Sequence, residues 1–215
     1  MVYYIVLVLP RPEIPPVPTP VSTPPVVPGE EKWLFKETGI IVSGRFLERW
    51  RSDGALPING YPISMPQTEV SPIDGKLHTV QYFERMAFEY HPEYPEPYDV
   101  LPSLLGILEY QKRYGSMGAP GQTASTNNPR IIPETGYTIG DPFRTFWEQH
   151  GNVWTMGYPI SDEFFELSEM NGLPYRVQYF ERAVLEYHPE QAGTDQEVQL
   201  SQLGLLRSRY AIGGR

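Results

Sequence analysis

The chain predicts an α+β fold of two tandem repeats, each of short helices with a small antiparallel sheet, preceded by an N-terminal strand and a proline-rich polyproline-II arm. Three observations carry this reading. A set of motifs recurs at one constant spacing, apolar positions within each copy switch between helical and alternating periodicity, and proline dominates the first 30 residues. The boundaries are 1–30 for strand and arm, 31–115 for the first repeat, 116–130 for a linker and 131–215 for the second repeat. At roughly 100 to 200 residues per domain, a chain of 215 residues accommodates one ordinary domain or two small ones.

The leading segment, Val2, Tyr3, Tyr4, Ile5, Val6, Leu7, Val8 and Leu9, is rich in β-branched and aromatic residues and is stopped by Pro10. It reads as a strand. No basic stretch precedes it and no small-residue cleavage site follows, so a secretory signal is not expected. Eight residues are also too few for the roughly 20 that span a bilayer. From Pro10 to Pro28 the prolines fix φ and remove backbone donors, which makes this stretch an extended, semi-rigid spacer. A lone apolar strand needs a hydrogen-bonding ladder. It is therefore expected to dock on a sheet edge, either of its own body or of a neighbouring copy by strand addition.

The duplication follows. Glu37–Gly39 (ETG) recurs at Glu134–Gly136, Gly60–Ser64 (GYPIS) at Gly157–Ser161, Val80–Arg85 (VQYFER) at Val177–Arg182 and Glu89–Glu93 (EYHPE) at Glu186–Glu190, always 97 residues on. Roughly 25 of about 57 aligned positions are identical, the mark of tandem structural units. Between the copies, Ser116–Arg130 is polar and rich in turn-forming residues, hence the linker.

Within each copy a short amphipathic helix comes first. Phe46, Leu47 and Trp50 share a face after a candidate cap at Ser43 and before Gly54. Phe143, Phe146 and Trp147 do so after Asp141-Pro142 and before Gly151. GYPIS reads as a turn into an extended piece. Asp74-Gly75 and Asn171-Gly172 signal hairpins, and a second reversal is expected at Arg85 and Arg182. That gives about three strands per copy. A closing helix is expected from the spacing of Leu101, Leu104, Leu105 and Leu108, and of Leu200, Leu203 and Leu206.

This combination of motifs resembles a tandem repeat found in secreted and cell-surface proteins of filamentous thermophilic bacteria, and more distantly the LGFP repeat associated with the cell wall. The resemblance covers all but the first 30 or so residues. It implies an extracellular or cell-surface setting and no catalytic residues.

Composition narrows the chemistry. Seventeen Lys and Arg against 26 Asp and Glu give a net charge of −9, which disfavours nucleic acid and anionic lipid. With no cysteine, disulfide frameworks, thiolate metal sites and cysteine nucleophiles are excluded. No phosphate loop or nucleophile elbow is present, and Ser64 and Ser161 lack the frame of the latter. Glu84-Arg85 and Glu181-Arg182 could pair an acid with an anion clamp. Because the whole motif is duplicated, a role in pinning the turn is expected instead. Glu89, His91 and Glu93 alternate, as do Glu186, His188 and Glu190, a pattern that could hold a divalent metal. Pro92 and Pro189 end the strands after the histidines, so a hydrogen-bonded turn is expected and neither a metal nor another cofactor.

Aromatic residues remain. Trp50 and Trp147 occupy matching inner positions and are assigned to packing. Trp154 faces Pro57 in the other copy, so it is the candidate ligand contact. The expected protein is non-enzymatic, an extracellular subunit of a self-assembling filament or surface layer. Its partners are other copies joined head to tail through residues 2–9, and it does not span a membrane. The alternative is a cell-wall or carbohydrate-binding module with envelope polysaccharide as partner. Thr19, Ser22 and Thr23 in the arm are candidate glycosylation positions.

Overall fold

The computed structural model describes residues 27–29 and 31–213, with the backbone alone from 210 onward. The predicted leading strand and most of the proline arm lie outside the described residues. The body is mixed α and β, and among the described residues every strand pairing is antiparallel.

In chain order the first half holds β1 (Lys32–Phe35), β2 (Ile40–Ser43), α1 (Gly44–Ser52), α2 (Ala55–Asn59), β3 (Gln67–Val70), β4 (Leu77–Tyr82), β5 (Ala87–Tyr90), β6 (Val100–Pro102) and α3 (Leu105–Tyr114). The second half follows as β7 (Arg130–Ile131), β8 (Thr138–Ile139), α4 (Phe143–Gln149), α5 (Asn152–Thr155), β9 (Phe164–Leu167), β10 (Pro174–Tyr179), β11 (Val184–Tyr187), β12 (Val198–Leu200) and α6 (Leu203–Gly213). Each half carries a two-stranded hairpin and a four-stranded meander, in the orders β3-β4-β5-β6 and β9-β10-β11-β12.

The ETG motif is the turn of the small hairpins β1–β2 and β7–β8, which the alternation of so few residues does not announce. Gly39 and Gly136 take positive φ and donate to Phe35 O and Ile132 O at 2.7 and 2.8 Å. Helix α1 begins after Ser43 as expected, but the serine hydroxyl makes no cap bond. Backbone carbonyls of the incoming chain serve instead, with Gly44 N donating to Glu31 O and Arg45 N to Pro28 O. Asp141 behaves as a side-chain cap, its Oδ1 accepting from Thr145 N at 3.2 Å.

The VQYFER motif is explained residue by residue. Val80 and Val177 are buried. Gln81 donates to Ile41 O and Ser64 O, and Gln178 to Thr138 O and Ser161 O, tying the small hairpin to the GYPIS segment. Tyr82 and Tyr179 donate their hydroxyls to Glu69 and Glu166, each at 2.8 Å. Phe83 and Phe180 are fully buried. The Ser64 and Ser161 hydroxyls accept from the N–H groups of Tyr82 and Tyr179. Trp50 and Trp147 lie in the core, and their Nε1 groups donate to Gly60 O and Gly157 O, each at 3.0 Å.

Three expectations are corrected. Leu101 and Leu200 belong to strands β6 and β12, paired with Glu89 and Leu185, not to the closing helices. Pro102 disfavours a helical conformation for the residue before it, and pairing with the open edge of β5 prevails. Each meander has four strands rather than three. The short helices α2 and α5 occupy ground read as turn.

The closing helices also pack in a way no local pattern specifies. Helix α3 starts against the β10–β11 reversal of the second half, where Ile107 N donates to Glu181 O at 3.0 Å. Helix α6 starts against the β4–β5 reversal of the first half, where Leu205 N donates to Glu84 O at 3.0 Å. Each carbonyl satisfies an otherwise orphaned N–H of a helix's first turn. Only glycine permits the approach: a Cβ on Gly106 would sit 1.9 Å from Phe180 O, and one on Gly204 1.9 Å from Phe83 O. Gly106→Ala and Gly204→Ala are each expected to cost about 2 kcal/mol by forcing these backbones apart, lowering the thermal midpoint by roughly 4–8 °C. A melt unchanged by either substitution would contradict the crossed packing.

Candidate functional site

The crossed packing leaves two seams where one half meets the other, and equivalent positions line them. One seam is filled. There Trp154 on α5 stacks on Tyr98 at 5.1 Å between ring centroids, with planes 22° apart. Arg49 on α1 reaches across, donating to Asp53 Oδ2 at 2.8 Å and Trp154 O at 3.1 Å. Arg45 and Asp99 form a bonded pair at 2.8 Å, with both side chains largely shielded. Burial raises the Asp53 carboxyl above its ordinary range against the opposing pull of Arg49, and lowers the Arg182 guanidinium.

The other seam is open. Position for position, Trp154 is replaced by Pro57, Arg49 by Phe146, Asp53 by His150, Arg45 by Pro142 and Glu48 by Thr145. The plugging groups are thus lost, and a cleft of about 1090 Å³ remains. Its walls come from α2 and the β4–β5 reversal of the first half, and from α4 and the 194–200 segment of the second. Phe146 and His150 stack with centroids 4.2 Å apart, and His150 Nδ1 lies 2.8 Å from Phe146 O. Tyr61 adds a half-buried ring, while Asp141, Gln149, Glu84, Arg85 and Gln199 supply polar groups along the same walls. Glu84 is committed locally, its Oε2 accepting from Tyr61 N at 3.0 Å, and Glu181 does the same for Tyr158 N at 3.1 Å. Arg85 and Arg182 reach Leu56 O and Val153 O. These pairs pin the turns, as the duplication suggests.

A second cluster lies at the end of the first meander, on the face of β4 that also carries the buried Val80 and Tyr82. His78 on β4 and His91, just after β5, have ring centroids 4.2 Å apart. Asp74 Oδ2 is 3.0 Å from His78 Nε2, Glu93 Oε1 is 3.0 Å from His91 Nδ1, and Glu89 Oε2 is 3.6 Å from His91 Nε2. The Glu89 carboxylate, with help from Glu93, holds the His91 imidazole above its ordinary pKa. The alternating Glu89, His91 and Glu93 therefore do converge, past the proline. Sequence reading missed His78, which only the pairing of β4 with β5 brings to the spot. The signal available was its alignment with Tyr175.

Trp154, the candidate ligand contact, is 54% exposed, with one face held by Tyr98. Val2–Leu9 lie outside the described residues. Among the described residues no helix is long and apolar enough to cross a membrane. The chain matches no family model, no curated protein and no solved structure.

The two seams differ in what each position contributes to stability. Trp154→Ala is expected to cost about 1 kcal/mol through the lost stack on Tyr98, whereas Pro57→Ala, facing the open cleft, should stay within about 0.5 kcal/mol of the parent. Urea denaturation midpoints of the two variants check the contrast, and equal shifts would remove it.

Proposed function

We propose that the chain is a non-enzymatic cell-surface module that holds an envelope polysaccharide in the open seam. The observation that carries this reading is the cleft itself, which pairs stacked and half-buried rings with amide, carboxylate and guanidinium groups. Sugar rings present apolar faces that stack on aromatic side chains and hydroxyls that bond polar ones, and ligand sites are typically concave and built of that mixture. Three of the carboxylates at the walls support holding rather than reaction, since Glu84 accepts from Tyr61 N, Asp141 from Thr145 and Glu197 from Gly193 N. The resemblance of the motifs to cell-wall repeats supports the setting. In pull-downs with insoluble envelope glycan, Phe146→Ala combined with Tyr61→Ala is expected to lower retention about tenfold or more, two lost stacking contacts at roughly 1 kcal/mol each. If those substitutions leave retention unchanged while Trp154→Ala abolishes it, the exposed Trp154–Tyr98 pair is the binding surface instead of the cleft.

Assembly is the second reading, and the sheet edges favour it. Among the described residues no strand pairs with the outer side of β3, where Val70 and, on the adjoining β4, Leu77 are exposed. At the matching β9 edge, linker residue Thr123 already donates to Glu163 O, while Phe165 and Leu167 stay exposed. Such edges accept an added strand, and the apolar Val2–Leu9 of a neighbouring copy has the composition to supply it. The domain reading, with arm 1–30, repeats 31–115 and 131–215 and linker 116–130, fits a subunit of this kind. Light scattering is expected to show large assemblies for the full chain and monomers after deletion of residues 1–12. A monomeric full chain would end the filament reading without touching the cleft.

A further inference from the structure

The duplication supplies an internal comparison for the histidine cluster. In the second half His188 keeps the arrangement of His91, with Glu190 at 2.9 Å and Glu186 at 3.4 Å. The ring stacked on it belongs to Tyr175, with the same 4.2 Å separation and 39° tilt as His78 on His91. There Asn171 Nδ2 donates to the Tyr175 hydroxyl at 2.9 Å. The fold thus accepts a Tyr-Asn pair at this spot, and packing alone does not call for histidine and aspartate. The first half nevertheless carries both substitutions together, and each changes a poor metal donor into a good one.

One donor atom from each of His78, His91 and Glu93 lies within 4.8 Å of the other two. Donors around a tetrahedral zinc stand about 3.3 Å apart, from metal–ligand lengths near 2.0–2.1 Å. Contraction by about 1.5 Å at most completes the set; Glu93 Oε1 already stands 3.0 Å from His91 Nδ1, and its side chain is 45% exposed and able to shift. The two imidazoles are well shielded, at 4% and 11% side-chain exposure, so they lose little freedom on binding. Asp74 and Glu89 stand behind the rings as the carboxylates that commonly orient histidine ligands.

We propose that His78, His91 and Glu93, supported by Asp74 and Glu89, form a binding site for a divalent cation of the zinc class, present in the first half and absent from the second. Two imidazoles select borderline transition ions over calcium or magnesium, which take oxygen donors. Binding requires neutral imidazole, so affinity is expected to fall as pH is lowered.

The test uses the full chain without an affinity tag. Titration with Co²⁺, followed by visible absorption, is expected to saturate at one equivalent, with the signal removed by Zn²⁺. The double substitution Asp74→Asn with His78→Tyr writes the second half's own pair into the first, and should weaken binding by more than about tenfold. His188→Gln should leave binding unchanged. Independently of any variant, Co²⁺ should broaden the imidazole NMR signals of His78 and His91 and spare those of His150 and His188. Absence of saturable binding, survival of binding in the double variant, or broadening spread over all four histidines would each overturn the site.

Discussion

The close approach of two helix starts to two strand reversals is the contact on which the rest of the molecule depends. Gly106 and Gly204 bring backbone against backbone, and Ile107 and Leu205 then donate to Glu181 O and Glu84 O. Because the helix that follows each meander closes the opposite one, neither half completes its own core. The buried residues accordingly form clusters that mix the two halves, such as Leu105 of α3 with Tyr179 and Val184. Such reciprocal packing behaves like a two-fold dimer interface within one chain. It fixes the relative placement of α2 and α4, and hence the existence of both seams.

Identity and difference between the halves then separate by physical role. Positions that stay the same include buried core residues such as Phe83 and Phe180, and side chains that complete backbone hydrogen bonds, such as Gln81 and Gln178, Glu84 and Glu181, or Ser64 and Ser161. Removing one of the hydrogen-bonding side chains leaves a buried donor or acceptor unpaired, at about 1–3 kcal/mol, so the fold holds them in both places. Positions that differ cluster where the fold is indifferent: Pro57 against Trp154, Phe146 against Arg49, His78 against Tyr175. Two halves that share the same motifs can diverge at such points without loss of the packing they have in common.

The same division explains what could be read from the sequence. The hairpin loops at Gly75 and Gly172, the reversals at Arg85 and Arg182, the inner faces of α1 and α4 and the structural part of Glu84 and Glu181 rest on local patterns, and they were legible. Helices α2 and α5, of five and four residues, are too short to show a period. The helix spacing at Leu101 was outweighed by pairing with β5. The crossing of α3 and α6 was invisible because an apolar face states that a helix is buried, not against which copy. The cleft depends on that crossing, so it was illegible too, although the Pro57–Trp154 mismatch marked the right position. For His78, the mismatch with Tyr175 was present in the alignment, but its meaning required the register of β4 on β5.

Electrostatics narrow what the open seam would take. The chain carries nine net negative charges, and the cleft walls place Asp141, Glu84, Asp195 and Glu197 against the cation Arg85. An anionic polymer would meet like charge along most of its length, and such repulsion slows encounter as well as weakening contact. A neutral glycan meets no such penalty, because its hydroxyls both donate and accept and can bond carboxylate, amide and guanidinium alike. The exposed Gln149 and the half-buried Gln199 suit that pairing, since amides offer both functions at no charge. On the proposed reading, the acidity that disfavours nucleic acid at the level of composition would act in the seam as a preference for uncharged over anionic polysaccharides, with the Phe146–His150 stack offering a flat face to an uncharged ring.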